Sequence, residues 1–230
     1  LYEPSQALNF AHDLAQSSFE QAKKEIDMLN EYSKTYLGFI PDFEDKSFVK
    51  NKLKQEMFSF NSEDVRRYFK LDNVIDGLFG LLKDLYDLEF KKNNNSTWHE
   101  DVQSYDVYEL GNLIGHLYLD MYQRDFKTGG AWMQSIVSKN ELNDNIKLPV
   151  AYICCNNSKS LEGDTTIEFE EIITLFHEMG HALHNLLSKV PEEYFSGLNN
   201  VQHDAIELPS QFMENFVWDY NVLKKLSFNK

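Results

Sequence analysis

His177-Glu178-Met179-Gly180-His181 lies inside a run, 167–188, whose apolar residues recur at helical spacing. Ile172, Ile173, Leu175, Phe176 and Leu183 flank the motif. A helix here puts two histidines one turn apart on one face, so both imidazoles can reach one zinc ion. Glu178 then stands beside the first histidine, placed to act on a zinc-bound water rather than on the metal. Zinc lowers the pKa of such a water, and the carboxylate takes its proton as it attacks a carbonyl. The bland alternative is a pair of ordinary helix histidines. The intervening glutamate and the apolar flanks speak against it.

A catalytic zinc usually keeps three protein ligands and one open position. His184 lies seven residues after His177, a rise of about 10 Å along a helix. That is too far for the same ion, and His184 is read as a residue that supports the site from behind its ligands or packs in the core. Glu192 and Glu193 follow Pro191 in a loop and read as solvated acids. Asp204, Glu207 and Glu214 are better candidates, spaced three and seven apart on one helical face with Gln211. Spacing alone leaves Asp204 and Glu207 open as the third ligand.

Working outward, 5–36 reads as one long helix with a broad apolar stripe, stopped by Gly38 and Pro41. That stripe suits one wall of a helical domain better than a coiled-coil seam. Further helices are expected at 47–58, from Ser62, and at 74–86; residues 91–96 are polar and read as an exposed loop. From 101 to 122 the period changes, and Leu110-Gly111-Asn112 joins two strand-like runs in a hairpin. Pro149–Cys155 reads as another strand, and 208–226 as helical. The expected fold is mainly α with a small antiparallel β-sheet, an α+β class. The division is a helical part over 1–96, a small sheet over 97–157 and metal-binding helices over 165–230, read as parts of one domain.

The chain has 230 residues, with 22 Lys and Arg against 37 Asp and Glu, a net charge of -15. Such a balance excludes a basic footprint for nucleic acid and disfavours an anionic membrane surface. From Ser160 to Tyr220 there is one base, Lys189, against twelve acids. Most of these read as solvated surface, and the remainder as a field that draws cationic peptides. No apolar run approaches the roughly 20 residues that span a bilayer. The two cysteines, Cys154 and Cys155, are adjacent. They read as reduced core thiols of a reducing compartment.

Residues 177–184, His-Glu-Met-Gly-His-Ala-Leu-His, are followed by Asp204-Ala205-Ile206-Glu207-Leu208-Pro209-Ser210-Gln211 and Phe212-Met213-Glu214-Asn215. Together they resemble the thimet oligopeptidase family of zinc metallopeptidases, and within it the bacterial oligopeptidase A branch. Trp98-His99-Glu100-Asp101-Val102, Tyr118 to Tyr122, Gly129-Gly130-Ala131-Trp132 and Pro149-Val150-Ala151-Tyr152 extend the likeness over nearly the whole chain. It is loosest over 38–66 and 185–200.

The resemblance implies a zincin-type HExxH metallopeptidase with one zinc per chain. His177 and His181 match the family's zinc histidines, Glu207 the third ligand, and Glu178 the catalytic glutamate. Asp204 matches an acid one turn before that ligand, and is expected to hold a ligand histidine by hydrogen bond. Gly129, Gly130, Ala131 and Trp132 match a stretch beside the cleft, where backbone is expected to pair with an extended peptide. The implied partners are short peptide substrates, with no nucleic acid and no membrane, for a monomer. The implied location is the cytoplasm, or a mitochondrion or other organelle in a eukaryote. Family members extend beyond both ends of this segment and supply oxyanion-stabilising His and Tyr residues, so the segment alone is expected to bind zinc and to cleave peptides weakly or not at all. The competing class is a non-enzymatic helical interaction module with a structural or vestigial metal. An intact Glu178 argues against it, because a structural site needs no base.

Overall fold

The computed structural model describes residues 3–59, 61–142 and 146–228. Contacts divide the chain into two compact units, 1–61 and 62–230. In the first, helix α1 (Pro4–Tyr32) runs into a π-helical turn over Ser33–Leu37, closed by left-handed Gly38. Helix α2 (Lys46–Phe58) packs on α1 around Ile26, Leu29, Leu53 and Met57. No residue of α1 is buried.

The second unit holds helices α3 (Ser62–Arg66) and α4 (Leu71–Tyr86), then strands β1 (Leu88–Lys92), β2 (Gln103–Glu109) and β3 (Asn112–Tyr122). Strands β4 (Trp132–Val137) and β5 (Val150–Asn157) follow, then helices α5 (Phe169–Leu186), α6 (Leu208–Glu214) and α7 (Tyr220–Leu226). No helix among the described residues is long and apolar enough to cross a membrane.

The five strands lie in the order β1-β2-β3-β5-β4. The β2–β3 hairpin turns on Leu110 and Gly111, both at positive φ (49° and 81°), the backbone a two-residue hairpin loop requires. The sheet is not antiparallel throughout, as the sequence led us to expect. Strand β5 runs parallel to β3, and β4 pairs antiparallel with β5 at the far edge. The cause is topological: β5 inserts between β3 and β4 instead of extending a meander. Strand β1 lies where no strand was expected, pairing with β2 from Leu88↔Glu109 to Lys92↔Tyr105.

Alternation along the strands decides what each face does. Val107, Leu117, Leu119, Ala151, Ile153 and Cys155 are buried, on the face that packs against the helices. Onto that face α4 brings Val74, Leu78 and Leu82, and α5 brings Ile172, Leu175, Phe176 and Met179, all within one core. Burying each of these aliphatic or aromatic side chains is worth about 1.5–3 kcal/mol. Helix α5 is therefore anchored along its length by the core. Both cysteines are free and buried, and burial pushes the Cys155 thiol up to about 12. A thiol so protonated is a poor redox nucleophile.

Candidate metal centre

The motif helix α5 starts with a reciprocal cap. The Glu171 carboxylate accepts the Glu168 N–H at 2.7 Å while the Glu168 side chain accepts a backbone N–H of the first turn. Glu170 and Glu171 also sit where the helix dipole favours acids. The motif begins two turns inside this capped end, so its geometry does not depend on a fraying terminus. Its face toward the sheet buries Met179 and Ala182; His177 and His181 stay partly exposed, with ring centroids 4.9 Å apart.

Glu207 completes the group from the start of α6. Its Oε2 lies 3.2 Å from His177 Nε2 and 3.2 Å from His181 Nε2. The donor atoms of the three residues all fall within 4.8 Å of one another. Tetrahedral zinc with bonds of about 2.0–2.1 Å sets neighbouring donors roughly 3.3 Å apart. Two imidazole nitrogens and one carboxylate at this spacing therefore fit a zinc ion, and the set matches a known catalytic donor chemistry.

Two side chains of α6 support the donors. Glu214 Oε1 accepts from His177 Nδ1 at 2.6 Å. Ser210 donates to Glu207 Oε2 at 2.8 Å, with the Glu207 carbonyl 2.9 Å away. The Ser210 hydrogen bond, with the nearby histidines, holds the Glu207 carboxyl below its ordinary value against the opposing effect of desolvation. Asp204 sits exposed in the turn ahead of α6, and the structure does not bring it to either histidine among the described residues. Glu214, weighed from sequence as a possible ligand, is the acid found on His177.

Gly180 sets how close α6 comes. A Cβ there would meet the Pro209 carbonyl oxygen and the Ser210 Cα, each at 2.5 Å. These are backbone atoms and cannot swing aside. Gly180→Ala is expected to push Pro209 and Ser210 outward, carrying Glu207 off the histidines. The expected cost is about 1–3 kcal/mol of stability together with weakened zinc binding, read by thermal unfolding and zinc titration. Unchanged zinc affinity would show that α6 approaches α5 less tightly than the geometry says.

Glu178 is 7% exposed. Its carboxyl is pushed above the usual range, first by burial and also by the Glu207 charge, against the opposing effects of His177 and a backbone hydrogen bond from Met133. Met133 lies on β4, the edge strand, so the glutamate and the strand edge are direct neighbours. Gly129, Gly130, Ala131 and Trp132 lead into that strand: both glycines are exposed, and Ala131 and Trp132 are partly so. Asn156 donates to the carbonyls of Thr128 (2.9 Å) and Gly130 (2.6 Å), tying this lead-in to β5. His184 lines a separate apolar pocket with Leu183, Leu187, Pro209 and Phe212. Burial lowers its pKa. Sequence reasoning missed Ser210 and Met133. Ser210 had a signal, three residues after Glu207; Met133 had none, because its role is carried by its backbone.

The model of peptidase family M3 matches residues 2–230. The chain belongs to that family. Curated relatives in it include oligopeptidase A of Escherichia coli, 37% identical over 97% of this chain and 34% of its own length. Organellar oligopeptidase A of Arabidopsis thaliana is 34% identical over 96% of this chain and 30% of its own. Saccharolysin of Saccharomyces cerevisiae is 31% identical over 96% and 33%. This family chain thus spans about a third of the length of the curated relatives it matches, and the resemblance read from its motifs holds over its whole extent.

Proposed function

We propose that this M3 chain carries the zinc site of an oligopeptidase, a metalloendopeptidase that hydrolyses short peptides. The observation that carries the reading is the convergence of His177 Nε2, His181 Nε2 and Glu207 Oε2 beside a buried Glu178. His177, His181 and Glu207 would hold one zinc per chain. Zinc, when bound, supplies Lewis-acid polarisation of the peptide carbonyl and makes water acidic near neutral pH. Glu178 accepts the proton of the attacking water and returns it to the departing amine. Its desolvated carboxyl, raised from the ordinary glutamate value, suits both duties.

The edge strand β4 supports a binding mode. An extended peptide laid along it would gain main-chain hydrogen bonds and bring a peptide bond toward Glu178, which already touches Met133. Gly129 and Gly130 would leave the entry to that edge free of side chains, with Ala131 and Trp132 flanking it. Asp204, one turn before Glu207, remains a candidate second support for the site, and His184, two turns after His177 on the same face of α5, a packing support beside α6.

Metal analysis tests the reading. The chain is expected to hold one zinc, and Glu207→Ala is expected to lose it at micromolar metal while retaining its fold by circular dichroism. Equal zinc binding by the parent and Glu207→Ala would overturn the ligand set.

A further inference from the structure

Helix α6 does more than supply one candidate ligand. Glu207, Ser210 and Glu214 are three and seven residues apart, on one helical face. Each makes a contact that ends at a donor atom: Glu207 Oε2 faces both Nε2 atoms, Ser210 reaches that same Oε2, and Glu214 reaches His177 Nδ1. The imidazole contact has a definite chemical consequence. In a neutral imidazole, an Nδ1–H given to a carboxylate leaves the lone pair on Nε2, the atom that faces Glu207 Oε2.

The pair is poorly suited to a purely structural duty. The side chains of His177 and Glu214 are 26% and 34% exposed, and an ion pair so open to water contributes little to folding. His181 gives the contrast. Its Nδ1 is buried and meets no partner among the described residues. No hydrogen bond at Nδ1 fixes that ring; its one polar contact is Nε2 with Glu207 Oε2, so the hydrogen-bonded orientation of the site comes from α6.

We propose that Glu214 and Ser210 are positioning residues of the metal site, Glu214 fixing the tautomer and ring plane of His177 and Ser210 fixing the carboxylate of Glu207. The inference rests on the zinc reading of the site and deepens it. It assigns the hydrogen bond at His177 Nδ1 to Glu214 of α6.

The test is zinc affinity of the 230-residue chain, measured by competition with a chromogenic chelator. Glu214→Ala and Glu214→Leu remove the acceptor, and each is expected to weaken zinc about 10–100-fold. Glu214→Gln keeps an acceptor oxygen and is expected to recover most of that loss. Ser210→Ala is expected to weaken zinc less, with rescue by Ser210→Thr. Thermal unfolding of the metal-free variants identifies any that misfold, and the Leu variant then replaces the Ala variant. A second readout is the proton resonance of His177 Nδ1–H in the zinc-loaded chain, expected far downfield in the parent and absent from that position in Glu214→Ala. Glu214→Ala and Glu214→Leu within twofold of the parent, while Glu207→Ala has lost zinc, would overturn this inference alone. A parent chain without zinc affinity, or one matched by Glu207→Ala, would overturn the zinc reading and this inference with it.

Discussion

Glu178→Gln is expected to lower the weak kcat/KM of the chain for a quenched-fluorescent peptide by about 10²–10⁴-fold, the usual contribution of a positioned general base. Zinc content is expected to stay at one per chain, because Glu178 is not among the three converging donors. The amide is nearly isosteric with the carboxylate and can still accept the hydrogen bond from Met133. What it cannot do is take a proton from water. The loss should therefore fall on kcat, with KM nearly unchanged. A variant that lost zinc as well would mean that Glu178 supports the metal. One that kept more than a tenth of parental kcat/KM would remove it from the proton-transfer role.

The legible parts of the fold were those with local causes. Helix α5 was readable because Ile172, Leu175, Phe176, Met179 and Leu183 recur at the helical period and all are buried in the structure. The β2–β3 hairpin was readable because Leu110-Gly111 supplies its turn. Strands β1 and β4 were not, because both are edge strands with mixed polarity. Glu89, Lys91 and Lys92 in β1, and Gln134 and Ser135 in β4, carry little apolar alternation; their strand state comes from pairing with β2 and β5. The parallel β3–β5 contact was hidden for the same reason, since nothing near either strand encodes a neighbour thirty residues away.

The candidate site divides along the same line. His177, Glu178 and His181 are set by one helical turn and needed no tertiary information. Which downstream acid meets which histidine depends on how α6 crosses α5. That crossing is set by Gly180, whose missing Cβ makes room for Pro209 and Ser210. Asp204, Glu207 and Glu214 share a helical spacing, so spacing could not rank them. The family resemblance picked Glu207, and the geometry brings Glu207 to both Nε2 atoms and Glu214 to Nδ1. A glycine inside a helix costs about 1 kcal/mol relative to alanine. Here that cost has a structural counterpart in the close approach of Pro209 and Ser210.

Asp120→Asn is expected to destabilise the second unit by about 3–5 kcal/mol at neutral pH, because it leaves two cations facing a neutral amide. Asp120 lies near the end of β3 with its side chain fully buried. Arg124 grips it with two hydrogen bonds of 2.6 and 2.7 Å, Lys127 donates to it at 2.8 Å, and the Trp98 indole donates at 3.1 Å. Burial by itself would raise this carboxyl; the hydrogen bonds from Arg124, Lys127 and Trp98 outweigh it and hold the group well below the usual carboxylate range. A group depressed in the folded state stabilises above its unfolded pKa, about 3.9 for Asp. That stability is lost as pH falls from there through the folded value. The parent should accordingly lose stability on acidification below about pH 4, and the gap between parent and Asp120→Asn should narrow over the same range. At pH 7 the expected fall in Tm is about 10 °C. The consequence reaches the candidate site, because Lys127 also donates to the carbonyls of Asp120, Tyr122 and Cys155 and so straps the 123–131 segment to β3 and β5. That segment delivers β4 to Glu178. Loosening it should raise KM for peptides before it affects zinc affinity, and thermal melts at pH 3 and pH 7 with parallel zinc titrations separate the two effects. An equal Tm difference at both pH values would show that the charge on Asp120 contributes nothing and that only the shape of its side chain matters.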